Sequence, residues 1–203
     1  MWYKSARRRQ SVQAWLQLFG GGFYLLNKMF LWFDERSSSQ ETALRLRAVA
    51  WAVYLVGLPP WVILFIGRHD WIAASVEASG APAMALGLVN ALRGTTKDPP
   101  KWLDYLARIC IPIGFIYSLY DFKGISTFGQ WLEIGLVLGF LVGTYLLANK
   151  KTQGYLWYVL MHITCGWLML RQDYRWLAVQ QGVSLIFIAD AYRVAKLKLK
   201  QQR

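Results

Sequence analysis

Tyr155, Tyr158 and His162 stand at i, i+3 and i+7 in a run with no charged residue, so a helix through them puts all three on one face. Two phenol rings and an imidazole in that order can stack a flat heterocycle and hydrogen-bond its edge. Gln180, Gln181 and Ser184 near the end of the chain, and Gln130 before an apolar run, add amide and hydroxyl groups that can both donate and accept. This is binding chemistry, suited to a ribose or a carboxamide, and not bond-making chemistry. The competing reading is an aromatic packing stripe, with glutamines that join neighbouring helices. The sequence has two histidines and two cysteines, no C-x-x-C pair and no G-x-x-x-x-G-K loop. His69 sits beside Asp70 in a short loop, away from any nucleophile or ligand set. No catalytic residue, metal or cofactor is therefore expected, and the chain does not read as an enzyme.

These residues lie in an oily chain. Of 203 residues, 56% are apolar and 17% charged, against roughly 45–50% and 25% in soluble domains. The net charge of +12 would suit a nucleic-acid binder if it formed a face. It does not, because nine of the twelve charges sit at the two ends. Lys4, Arg7, Arg8 and Arg9 open the chain, and Arg193, Lys196, Lys198, Lys200 and Arg203 close it, with no acid in either stretch. The expected partners are a lipid bilayer and a small-molecule substrate, with no nucleic acid and room left for a homo-oligomer.

Crossing about 30 Å of hydrocarbon takes roughly 17–25 mostly apolar residues as a helix. Seven stretches qualify: 12–33, 48–67, 71–92, 102–120, 127–149, 152–170 and 176–192. The first is the weakest, diluted by Gln13, Gln17, Asn27 and Lys28. A cleavable signal peptide fits it poorly, because Lys28 interrupts it and no small-residue cleavage site follows. The two longest connections are 34–47 (DERSSSQETALRLR) and 93–101 (RGTTKDPPK), the second a linker between halves. Lysine and arginine number fifteen on the side of the C-terminus and eight opposite, which puts the C-terminus in the cytoplasm. If the first stretch does not cross, the count becomes nineteen against four, so six spans is the alternative. Glu77 and Glu133 read as partly hydrated groups near an interface, with gating of a cation-coupled cycle as the lesser alternative, and Asp190 as a partner of Arg193 or the basic tail. Pro59, Pro60, Pro82 and Pro112 read as kinks or hinges, and Gly135, Gly139 and Gly143 as a close-approach stripe.

Short similarities link the two halves. GFYLLNK at 22–28 resembles GTYLLANK at 143–150, WLQ at 15–17 resembles WLE at 131–133, and DWIA at 70–73 resembles RWLA at 175–178. Their order makes helices 1–3 and 5–7 equivalent. Two odd-numbered units share an orientation only if one further helix returns the chain, which makes helix 4 a connector. The expected architecture is an all-α integral membrane protein, a single membrane domain over 1–203. Its seven transmembrane helices form a 3+1+3 arrangement, with repeats at 12–92 and 127–195 and a linker helix at 102–122.

From Gln130 to Lys196, with WLEIG, GTYLLANKK, GYLWYVLMH and YRWLAVQQG, the chain resembles the PnuC-type vitamin-precursor transporters, relatives of the SWEET sugar carriers. That resemblance implies the same 3+1+3 plan and facilitated passage of nicotinamide riboside or a related compound through the inner cell membrane. It also implies that Tyr155, Tyr158 and His162 take the places commonly held by two Trp and an Asn. The alternative is a non-transporting membrane subunit or anchor that packs against partner proteins.

Overall fold

Capping chemistry sets several of the helix boundaries. The computed structural model describes residues 2–94, 98–121 and 127–201, and every regular element among them is an α-helix. Helix α1 runs Trp2–Arg36, α2 Gln40–Gly67, α3 Trp71–Arg93, α4 Lys101–Asp121, α5 Phe128–Ala148, α6 Gly154–Arg171 and α7 Arg175–Gln201. Asp70 Oδ1 accepts the Ala73 amide at 3.0 Å and starts α3. Thr127 and Gln130 cap α5 reciprocally, each side chain accepting the other's backbone amide. Pro99 and Pro100 precede α4, where a missing backbone donor costs nothing.

The connection expected over 34–47 is mostly helical. Only residues 37–39 separate α1 from α2. Its charged residues do not solvate a loop; Arg45 pairs with Glu41 one turn away, and Arg47 reaches back to Asp34 and Glu35 on α1. The basic tail after residue 192 likewise continues α7 to Gln201. In the 93–101 linker, residues 95–97 lie outside the described residues, as does the last residue of the expected linker helix.

Six helices form a closed ring in the order α1, α2, α3, α5, α6, α7 and back to α1. Helix α4 lies outside it, against α3 and α5. Glycines set the closest approaches. Gly135, Gly139 and Gly143 line one face of α5 and admit Thr164, the Trp157–Met161 backbone and the Tyr158 ring of α6. On α3, Gly87 admits the Trp51 ring of α2.

The bundle keeps an apolar core yet buries several polar groups and exposes large apolar ones. Lys28, Asn27, Asp34, Thr144, His162 and Ser184 are buried, while Trp15, Trp102, Ile116, Trp131, Trp176 and Ile186 each expose well over half of their surface. Four helices, α2 to α5, are long and apolar enough to cross a membrane. The chain is thus a helical protein with the composition and surface of a membrane protein. Among the described residues the other three fall outside that measure; they carry Asn27 and Lys28 (α1), His162 and a terminal Arg171 (α6), and Gln180, Gln181 and a charged tail (α7).

The α5–α6 contact gives a direct test. A Cβ at Gly139 would meet the Trp157 carbonyl oxygen at 2.6 Å and the Met161 amide nitrogen at 2.8 Å, both backbone atoms that cannot swing away. Gly139→Ala is expected to cost about 1–3 kcal/mol, read as a lower melting temperature in detergent. Gly182→Ala, where a Cβ meets nothing within 4 Å, should leave it unchanged or raised. Equal melting of the two variants would contradict this packing.

Candidate functional site

Burying a charge is the costliest thing an apolar bundle can do, so the site is built outward from Lys28, which is 1% exposed. Its Nζ sits 4.1 Å from the centroid of Tyr54 on α2 and 4.1 Å from that of Tyr158 on α6. The same Nζ donates to Asn27 Oδ1 at 2.8 Å, and Asn27 Nδ2 donates to the Ala50 carbonyl at 2.9 Å, fixing the pair against α2. No ion pair joins Lys28 to a carboxylate among the described residues. Desolvating an ammonium costs several kcal/mol. Two desolvated cation–π contacts at about 2 kcal/mol each and one charge-assisted hydrogen bond at about 1.5–3 kcal/mol offset a cost of that order. The arrangement is tolerated rather than strongly favoured.

Polar groups from all six ring helices surround this ammonium. Tyr24 on α1 packs edge-on against Tyr54, centroids 4.6 Å apart, and its hydroxyl donates to Glu77 Oε2 on α3 at 2.7 Å. Tyr158 shares a hydrogen bond of 3.0 Å with Thr144 on α5. His162 lies edge-on to Tyr158, centroids 6.3 Å apart, with Nδ1 2.7 Å from Gln181 Oε1 on α7. An amide oxygen can only accept, so Nδ1 carries the proton and Nε2 is left as an acceptor. That Nε2 is buried and has no hydrogen-bond partner among the described residues.

The residues singled out in the sequence therefore separate. Tyr158, His162 and Gln181 meet at the centre. Gln180 turns the other way, donating from Nε2 to the Gly21 carbonyl at 2.6 Å and tying α7 to α1. Ser184 is buried one turn beyond Gln180 and Gln181 on α7. Gln130 serves the N-cap of α5 and is not brought to the cluster. Tyr155 shares the Tyr158 face but lies about 10 Å of helix rise from His162, where its hydroxyl donates to Glu35 Oε1 at 2.8 Å. Sequence reasoning passed over Lys28, Tyr24 and Tyr54. The available signal was the lysine itself, a charge deep inside an otherwise spanning segment.

Tyr155 belongs to a second polar layer at the end of the bundle where α1 finishes and α6 begins. Arg47 donates to Asp34 and, at 3.0 Å, to Glu35. Lys198 Nζ donates to the Ser37 carbonyl at 3.1 Å, and Arg36 Nη2 to Asp190 Oδ2 at 2.6 Å. Asp190 also accepts the Trp32 indole N–H at 2.6 Å. Its hydrogen-bond partners are on α1, because α7 packs beside α1, while the Arg193 expected from local spacing acts on it only through its charge. Contacts between α1 and the α6–α7 pair thus close this end with charge, whereas Gln180–Gly21 is a single neutral bond nearer the other end. A small pocket opens among the charged groups, lined by Glu35, Arg47, Lys150, Lys151, Thr152 and Tyr155.

Comparison with protein-family models, curated proteins and solved structures returns no match for this chain.

Asp34 gives this layer a pH dependence. Burial pushes its carboxyl up to about 6, against the pull of the adjacent Arg47 guanidinium. Between the ordinary carboxyl pKa and about 6 the folded chain therefore holds a proton that the unfolded chain has lost. The resulting stability is complete below the ordinary value and is lost as pH rises through about 6. Asp34→Asn cannot titrate, so its melting temperature is expected to change less than that of the wild type between pH 5 and 7. An unaltered pH dependence would contradict the assignment.

Proposed function

We propose that the chain is a facilitative membrane carrier for a small, flat, polar heterocycle of the vitamin-precursor kind, nicotinamide riboside being one candidate. The observation that carries this reading is the Lys28 ammonium held between Tyr54 of α2 and Tyr158 of α6. An ionisable group in a membrane bundle is retained at a cost, and its usual use is a substrate or ion path. A bundle that only anchors partner proteins has no need of it.

In this reading all seven helices span an inner cell membrane, with the C-terminus and the charged Arg47 layer on the cytoplasmic side. The helix contacts support two equivalent units. The α1–α2, α2–α3 and α7–α1 neighbours are repeated as α5–α6, α6–α7 and α3–α5, and α4 stands apart as the connector. Lys28 and Tyr54 come from one unit and Tyr158 and His162 from the other, so the cluster lies where the units meet, as in carriers built from repeats. Transport is then a rocking of one unit against the other. The Arg47 layer opens on one side, and the Gln180–Gly21 contact yields on the other. No coupling ion is invoked.

The test is a binding screen of purified protein against nicotinamide riboside, thiamine and riboflavin, followed by uptake into liposomes. At least one ring compound is expected to bind and to be taken up. Tyr158→Ala should weaken that binding about tenfold, the scale of losing one aromatic face. Unchanged affinity would remove Tyr158 from the site, and failure of all three compounds in both assays would overturn the reading for this class of substrate.

A further inference from the structure

We propose that the site around Lys28 selects a flat heterocycle bearing a single acid group, with Lys28 as counter-ion and His162 Nε2 as a second polar contact. The inference rests on reading this cluster as the substrate site and goes further by assigning the charge of the ligand. Three facts lead to it. An ammonium has three donors, and Lys28 uses one, on Asn27, while two aromatic faces take the rest of its surroundings. Among the described residues no carboxylate makes ion-pair contact with it; the acid of the cluster, Glu77, accepts the Tyr24 hydroxyl and feels the ammonium only at longer range. His162 flanks the same Tyr158 ring with a buried, unpartnered Nε2.

A ligand of net positive charge, nicotinamide riboside with its pyridinium nitrogen included, meets a like charge already in place between the aromatic rings and binds more weakly than a zwitterion that brings its own carboxylate. A neutral ring would leave the ammonium with no carboxylate in direct contact among the described residues, since Glu77 acts on it only from beyond ion-pair distance. A ligand carboxylate supplies that contact in a low-dielectric setting, where a charge-assisted hydrogen bond is strongest. One ammonium balances one negative charge, which favours a carboxylate over a doubly charged phosphate. The acceptor lone pair at His162 Nε2 calls for a donor on the same ligand, such as a hydroxyl. The aromatic faces of Tyr54 and Tyr158 suit a ring between them once the units part.

Nicotinic acid riboside and nicotinamide riboside share the pyridinium ring and the hydroxyls and differ in a carboxylate against a carboxamide, so they isolate the acid group. Isothermal titration of the purified full-length protein in nanodiscs with each is expected to show the acid binding about tenfold tighter or better. Lys28→Met should reduce that ratio to near one. It keeps the side-chain volume and removes the charge but leaves the buried Asn27 Oδ1 without its donor, so undiminished binding of the amide by the variant is the check that its site is intact. Tyr158→Ala should weaken both ligands alike. If the amide binds as tightly as the acid, the acid selectivity is overturned; if Tyr158→Ala still weakens that binding, the substrate site itself stands. If neither riboside binds, both inferences fail for this ring class. A preference for the acid that persists in Lys28→Met would overturn the role of Lys28.

Discussion

A lysine ammonium at the centre of an apolar bundle has to be compensated on the spot, and much of this architecture follows from that requirement. Tyr54 and Tyr158 supply π faces from opposite sides, Asn27 supplies an oxygen, and Ala50 holds Asn27 in place. No single helix offers such a set. The compensation exists only when α1, α2 and α6 are brought together, so the charge couples the two ends of the sequence to one another. A ring of helices is the arrangement that does this with short connections, and the glycine stripe on α5 lets α6 come close enough to deliver Tyr158.

The same constraint explains why the helices differ in oiliness. Those that meet the length and hydropathy of a membrane span, α2 to α5, contribute mainly rings and small residues to the interior. Those that fall short, α1, α6 and α7, bring the charged, imidazole and amide groups inward. Low hydropathy in them marks an inward polar face, while residues such as Trp15, Ile163 and Ile186 still turn apolar surface outward.

The helices themselves were legible in the sequence, because uninterrupted apolar runs bounded by Asp70, Pro99-Pro100 and Thr127 leave few other readings. Segment 34–47 was not. Its charges look like a solvated loop until Arg47 is seen to pair with Asp34 and Glu35 on the preceding helix, a contact that exists only once both are helical. Asp190 shows the same limit: spacing offers Arg193, whereas packing offers Arg36, 154 residues away. Within the site, His162 and Gln181 were each recognisable as polar residues with no reason to face lipid, and adjacency of α6 and α7 makes them partners. Tyr155 was grouped with Tyr158 by periodicity alone. Periodicity fixes a face but not a depth, and the face runs from the charged layer to the centre. Lys28 was visible throughout, as a flaw in a weak apolar run.

In the proposed carrier two three-helix units move against each other around the Lys28 cluster and open the Arg47 layer. The most direct measurement of this movement is the distance between spin labels at Arg45 and Lys151, exposed positions on α2 and before α6. Cys110 and Cys165 would be replaced, and the protein reconstituted in nanodiscs with and without a bound ring compound. The account predicts a distance distribution with at least two components whose proportions shift on binding. A single narrow distribution, unchanged by a ligand shown to bind, would contradict it.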